Sequence, residues 1–411
     1  MAKKKQENLK PMGWAWFIYR TYSIIKMKLS NNIKYDIEDF KNRNKKEGCI
    51  VLYNHCCNHD HYIATGMFKR TKANYVVTKR FNFYSAYRAV FKLVKAITRD
   101  QFKNDTSSIL KMKRVIERGG VVCIAPAGQV SIHGKHPYIN PIIVKLLKMC
   151  KADVYTIQTT GSYLSYPKWG KSKRKYPISV KCVKTLSKEE VKSLDIDACY
   201  EKILNHLDVC DRDYQRDAMI KIKGKDLSAG LENVLYICPK CGKKYTISTK
   251  DSLIICDNCQ NTILYNQYGF LEGVGNDYVL MKDETLWFEY QKEVLMKQIK
   301  EHNYKKVSNV TLYSNTRKEF KLEVVGSGVL TFDVDNLYYD GTKDGEVIHK
   351  EFSLHSLYQL PFAPGVRFNI PDEEGMYEFV PENKKEVIEW VQAIDAYHTL
   401  KLIEAENEHN E

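Results

Sequence analysis

The sequence predicts an α/β domain with a mixed sheet and flanking helices, then a four-cysteine ribbon, then a small β-barrel domain with a C-terminal helix. Three observations lead there. Strand-like and helix-like runs alternate between residues 48 and 182, the pattern of a sheet covered by crossover helices. Cys238, Cys241, Cys256 and Cys259 form a C-x2-C-x14-C-x2-C array. Short apolar runs separated by turn signals fill the last hundred residues, ahead of a final helical pattern.

Taken in order, Pro11–Ser30 is apolar and aromatic, with Arg20, Lys26 and Lys28 as its only charges. Trp14, Phe17, Ile18, Tyr22, Ile25 and Leu29 recur near helical spacing. Aromatics beside cations suit a helix lying in a headgroup region, and the same pattern suits a helix packed on a core. Residues 1–47 are therefore read as amphipathic membrane-binding helices. Expected strands are Ile50–Tyr53, Tyr75–Thr78, Val121–Ala125, Val154–Thr159 and Ile178–Val183. Expected helices between them are Ile63–Arg70, Ser85–Lys95, Ser107–Arg118 and Pro141–Lys151, in a domain spanning 48–230.

The four-cysteine ribbon occupies 231–270, with Gly242 and Asn258 at turns, and a helical connection covers 271–305, chiefly Leu286–His302. In 306–411 the expected strands are Val307–Tyr313, Phe320–Val325, Val329–Val334, Leu337–Tyr339, Glu346–Ser353 and Met376–Val380. Turns are expected at Gly326-Ser327-Gly328, Asp340-Gly341 and Asp344-Gly345. A helix from about Glu382 carries Val387, Trp390, Val391, Ile394 and Tyr397 on one face.

Composition narrows the function. No run of 18 uninterrupted apolar residues is present, so no transmembrane helix is expected, and the N-terminus lacks a secretory cleavage pattern. Twelve irregularly spaced cysteines suit a reducing compartment. The net charge of +14 divides unevenly: residues 1–230 hold 45 Lys and Arg against 20 Asp and Glu, leaving 19 against 30 for the rest. A basic first half implies a polyanionic partner such as a membrane surface, a phosphate-bearing substrate or nucleic acid.

The chemistry centres on Cys49–Tyr62. A buried strand is followed by Asn54-His55, with Asp60 five residues after the histidine. With His55 in the turn and Asp60 in the first helical turn, the carboxylate reaches the imidazole and fixes its tautomer. The other ring nitrogen can then take a proton from a substrate hydroxyl. His59 and His61 are rivals for that role. Lys79 and Arg80 close the second strand, and Arg99 follows an Ala-Ile element. Gly119-Gly120 leads through a strand to Pro126-Ala127-Gly128-Gln129-Val130-Ser131, a loop where Gly128 offers backbone donors and Ser131 a hydroxyl.

The order of these blocks resembles the glycerolipid (lysophospholipid) acyltransferase family over about residues 10–185. That resemblance implies an acyl thioester donor, acyl-CoA or acyl-carrier protein, and a lipid hydroxyl acceptor, at the cytosolic membrane face. It assigns His55 and Asp60 to catalysis and matches Lys79 to the family's lysine; Lys79 and Arg99 could supply positive charge to a phosphate, and Gly128 and Ser131 complete the expected acceptor- or phosphate-binding set. Departures are evident: Cys57 replaces the usual serine, Gln101 stands where an arginine falls in register, and the third block has lost its Glu, Thr and Arg. Lys171–Lys175 is a basic run that a donor phosphate could use, or an exposed loop.

The four cysteines suit a structural Zn²⁺, with iron or free thiols as alternatives. The C-terminal segment resembles a pleckstrin-homology-type barrel. Its acidic balance points to a protein partner in place of anionic lipid. Three readings stay open at this point: a membrane-associated O-acyltransferase in phospholipid synthesis, an adaptor that keeps the fold without the activity, and, less favoured, a nucleic-acid-binding zinc-ribbon protein.

Overall fold

The computed structural model describes residues 7–79, 81, 85–100, 105–315, 322–372 and 376–410. The chain divides into two compact units, Met1–Pro167 with Arg174–Ile220, and Lys168–Lys173 with Lys221–Glu411.

The first unit is built on a seven-stranded sheet. Its strands are β1 (Ile33–Asp36), β2 (Cys49–Tyr53), β3 (Ala73–Thr78), β4 (Ile97–Arg99), β5 (Val121–Ile124), β6 (Asp153–Thr160) and β7 (Ile178–Leu186), in the order β1-β7-β6-β2-β5-β3-β4. Strands β6, β2, β5, β3 and β4 run parallel, β7 is antiparallel to β6, and β1 follows β7 in parallel. The sheet is mixed, as the sequence predicts.

Every residue of β2 is buried, because alternate side chains enter two different cores. Ile50 and Leu52 join Val122, Ile124 and Val154 beneath α4 (Thr106–Glu117), α5 (Ile142–Cys150) and α6 (Ile196–Leu207). Cys49, Val51 and Tyr53 join Cys123, Tyr75 and Tyr155 beneath α1 (Gly13–Ser30) and α2 (Asp60–Met67). A further helix, α3 (Ser85–Val94), bridges β3 and β4, and α7 (Asp211–Ala218) ends the unit.

Two expectations change. Ile33–Asp36 is a strand, not part of a helical segment; Ile33 and Tyr35 turn inward while Lys34 and Asp36 face solvent. Helix α1 buries Ala15, Trp16, Ser23 and Met27. The six apolar residues singled out by spacing, from Trp14 to Leu29, are the ones it exposes. No helix among the described residues is long and apolar enough to cross a membrane.

The second unit opens with a four-stranded antiparallel sheet, β8 (Ile247–Lys250), β9 (Leu253–Cys256), β10 (Thr262–Tyr265) and β11 (Leu271–Gly273). Helix α8 (Glu284–Lys300) follows. Next come β12 (Lys306–Asn315), β13 (Leu322–Phe332), β14 (Leu337–Lys343), β15 (Glu346–Glu351), β16 (Phe362–Ala363), β17 (Arg367–Pro371) and β18 (Met376–Pro381). They form one antiparallel sheet in the order β15-β14-β13-β12-β18-β17-β16. Helix α9 (Glu386–Asn410) packs on it through Val387, Trp390, Val391 and Ile394, all buried.

Two expected turns are instead strand interior. Gly326 and Gly328 lie within β13, and Gly341 lies opposite Gly328 in β14. A Cβ on Gly328 would fall 2.2 Å from the Asp340 carbonyl oxygen, so these glycines permit close strand approach. Asp344-Gly345 does form the hairpin turn, both residues having positive φ (53° and 89°). Arg367–Pro371 is a strand that the sequence reading missed.

Candidate active site

Parallel strands place their following loops along one edge, and that edge gathers the blocks read from the sequence. His55 and Lys79 stand at matching heights beyond β2 and β3, with the loop after β5 between them. Neighbouring strands lie about 4.8 Å apart, so β3 is about 10 Å and β4 about 14 Å from β2.

The turn after β2 is held from below. Asn54 is fully buried; its amide donates to the Thr159 carbonyl at 2.8 Å, and its carbonyl accepts from the Thr159 N–H at 2.9 Å. That two-way bond fixes the end of β2 against β6 and aims His55 outward. Asp60 begins α2, where a carboxylate complements the helix N-terminus. Its Oδ2 meets His55 Nδ1 at 2.9 Å and accepts from the Cys57 N–H at 2.9 Å; Oδ1 accepts from Cys57 Sγ at 3.1 Å. The carboxylate is 2 % exposed and the imidazole 20 %. Cys57, where the family carries a serine, is thus a second donor to the carboxylate, and burial raises its thiol pKa well above the usual value.

The rival histidines differ from His55 in their surroundings. Burial, reinforced by the His55 and His59 imidazoles, pushes His61 down to about 3. Burial and the Lys26 ammonium also lower His59, whose ring lies 4.4 Å from that of Tyr166. A base held far below neutral pH is a weak proton acceptor. Of these three rings, only His55 rests on the Asp60 carboxylate.

The other predicted positions are arranged less openly. The Ser131 N–H donates to the His55 carbonyl at 2.8 Å, which draws the loop after β5 onto the histidine. Its hydroxyl donates to the Lys135 carbonyl at 2.6 Å and accepts from the Gly134 N–H at 2.9 Å, so both functions serve its own loop. Gly128 sits at φ 69°, with its N–H on the Ala125 carbonyl at 3.1 Å. The Lys79 ammonium pairs with Asp100 and, at 3.5 Å, with Asp105. Arg99 ends β4, partly exposed and without an ion-pair partner among the described residues. Arg80 and Gln101 lie outside the described residues.

The cysteine array forms a second site. The four Sγ atoms lie within 4.8 Å of one another, Cys238 to Cys259 at 3.7 Å and Cys241 to Cys256 at 3.8 Å. Sulfurs about 2.3 Å from a tetrahedral zinc stand about 3.8 Å apart, so the donor set fits that ion. The two knuckles match: the Gly242 N–H bonds the Cys238 carbonyl and the Gln260 N–H bonds the Cys256 carbonyl, each at 2.9 Å. Gly242 and Gln260 both have positive φ; Asn258 lies in the second turn without being its left-handed residue.

Residues 34–158 match the Acyltransferase family model. Among solved structures, the 1-acyl-sn-glycerophosphate (LPA) acyltransferase PlsC from Thermotoga maritima is similar over 47 % of this chain and 78 % of that one, at 16 % identity and a TM-score of 0.37. No curated protein matches the chain. The matched segment, an Acyltransferase-type domain within the first unit, holds β2, the His55–Asp60 pair and the loop after β5.

Proposed function

We propose that this acyltransferase is a membrane-associated O-acyltransferase. It moves a fatty acyl chain from an acyl thioester (acyl-CoA or acyl-carrier protein) to a lysophospholipid such as 1-acylglycerol-3-phosphate or a similar lipid alcohol. The observation that carries this reading is the 2.9 Å contact between His55 Nδ1 and the buried Asp60 carboxylate at the sheet edge. A proton kept on Nδ1 leaves Nε2 with a lone pair. Nε2 takes the acceptor hydroxyl proton as its oxygen attacks the thioester carbonyl, and Asp60 stabilises the imidazolium formed. The C–O bond forms, the C–S bond breaks, and the departing thiolate takes the proton from His55. The oxyanion formed on the way needs donors. The backbone N–H groups of Gln129 and Val130, unpartnered among the described residues, are the nearest in sequence to the Ser131–His55 bond.

Acceptor contacts are assigned to Lys79, Arg99, Gly128 and Ser131, of which Arg99 is the one without a partner among the described residues. The exposed face of α1 suits attachment to an anionic membrane surface, peripherally and on the cytosolic side. A structural Zn²⁺ on Cys238, Cys241, Cys256 and Cys259 would hold the ribbon and leave no open coordination position for chemistry. The antiparallel sheet with α9 is read as a PH-like module for a protein partner, and nucleic acid is not an expected ligand.

The test is incubation of the purified protein with labelled oleoyl-CoA and a panel of lipid alcohols. Ester product formed by the wild type and reduced at least about 10²-fold in His55→Ala is expected. Equal product from both would overturn the assignment, and none from either would favour an adaptor.

A further inference from the structure

The Asp60 carboxylate is bracketed by one residue. Cys57 gives it two hydrogen bonds, the N–H on Oδ2 at 2.9 Å and the thiol on Oδ1 at 3.1 Å. The remaining side-chain contact among the described residues is His55 Nδ1 on Oδ2, at 2.9 Å. The Cys57 carbonyl in turn accepts from the Asp60 N–H at 3.3 Å. The Cys57 sulfur accepts from the His59 N–H at 3.3 Å, which leaves the thiol hydrogen to point at Oδ1. Burial keeps that hydrogen in place by pushing the thiol pKa well above its usual value. Cys57 is 0 % exposed and Asp60 2 %, so each of these bonds acts in a medium of low polarity.

A carboxylate has one negative charge to share among its donors. A strong donor on Oδ1 draws charge from Oδ2 and loosens its hold on an imidazolium. A thiol is a weak donor, so it fixes the direction of the carboxylate and takes little of its charge. The other titratable groups acting on the pair are Tyr53, Cys56, His59, His61 and His136. Burial raises Tyr53 and Cys56 well above their usual values, lowers His59, and pushes His61 to about 3 and His136 to about 4. The Lys26 ammonium on α1 acts on His59, and Asp211 on α7, raised to about 6 by burial, acts on Cys56; both are common to every variant below.

We propose that Cys57 is the positioning residue of the catalytic pair: its N–H and thiol aim the Asp60 carboxylate, and the weakness of the thiol as a donor leaves the carboxylate charge to His55. The proposal deepens the acyl-transfer reading above and rests on it.

The test uses the full chain carrying histidine labelled with ¹³C at Cε1. The His55 signal is the one missing from His55→Ala, and its titration is followed by NMR in wild type, Cys57→Ser, Cys57→Ala and Asp60→Asn, with thermal melts to confirm folding. Serine, a stronger donor, should lower the pH at which the His55 ring takes up its proton by about half a unit, and alanine, with no donor, should raise it by about as much. The acid limb of kcat/KM, measured with oleoyl-CoA and 1-oleoylglycerol-3-phosphate, should move the same way, because that limb reports the base of the free enzyme. Asp60→Asn should lower the midpoint by more than about one unit. A serine variant that titrates with wild type or above it, while Asp60→Asn titrates below, would overturn the proposal, and that comparison decides alone if the alanine variant does not fold. An Asp60→Asn ring that titrates with wild type would overturn it as well. Ring shifts of the expected sign in a protein that makes no ester from any lipid alcohol would uphold the role of the thiol and remove the acyl-transfer reading.

Discussion

Replacing Asp60 with asparagine isolates the charge of the catalytic pair from its shape. The carboxylate accepts from His55 Nδ1, the Cys57 N–H and the Cys57 thiol, and is almost wholly buried. An asparagine oxygen turned toward the imidazole keeps the first two bonds, and its amide group faces the Cys57 sulfur, a weak acceptor. What is lost is the negative charge beside the imidazolium that forms as the acceptor is deprotonated. At about 4 Å between charge centres and an effective dielectric of about 20, that attraction is worth about 4 kcal/mol. At 1.36 kcal/mol per decade this is about 10³-fold in rate. Initial rates of thiol release from oleoyl-CoA, measured with a saturating lipid alcohol, should fall by about that factor in kcat, with the thermal melt within a few degrees of wild type. A folded Asp60→Asn protein within tenfold of wild type would refute the claim that this carboxylate stabilises the charged imidazole.

Other outcomes follow from the same geometry. His61, held near 3, stays neutral in the fold while the unfolded chain protonates it below about pH 6.5. Its contribution is therefore fully kept above that pH and lost as the pH falls toward 3, amounting to about 2 kcal/mol at pH 5. Urea unfolding at pH 5 and 7 should show a smaller pH dependence in His61→Gln than in wild type, and identical slopes would contradict the assignment. Asp211, raised to about 6 by burial, acts in the opposite direction between about pH 4 and 6 and is common to both proteins. Replacing Phe17, Ile25 and Leu29 by serine, all more than half exposed on α1, should leave the melt unchanged. Binding to phosphatidylserine-containing vesicles should fall about 10²-fold at roughly 1 kcal/mol per partly inserted side chain; unchanged flotation would remove α1 as the anchor. Metal analysis should find about one zinc per chain, and chelation should unfold the ribbon. A metal-free protein with the same melt would defeat the zinc reading.

Much of the first unit was legible because its signals are local. The apolar run of β2 and the His-x4-Asp spacing sit within fourteen residues, and a parallel strand leaves few places for the following turn. The matched cysteine knuckles were legible for the same reason, down to Gly242; the left-handed Gln260 was not, since glutamine carries no turn signal. The glycines of β13 and β14 misled because Gly-Ser-Gly reads as a turn unless a partner backbone 2.2 Å from a would-be Cβ is known. Ser131 was read as a loop hydroxyl, yet nothing in the sequence said that Gly134 and Lys135 would occupy it. His136 escaped notice altogether. It lies 81 residues from His55, on a loop held by backbone bonds from Ser131 to His55, from Asp211 to Gly134 and from His136 to Val209.

The central claim is that the imidazole at 55 takes a proton from an acceptor alcohol. Chemical rescue tests it most directly: His55→Ala is assayed with oleoyl-CoA and the preferred lipid alcohol while free imidazole is added near neutral pH. The account predicts a nearly silent variant whose ester formation returns in proportion to added imidazole base until it saturates. An alanine variant that makes ester at the wild-type rate with no imidazole present would contradict it.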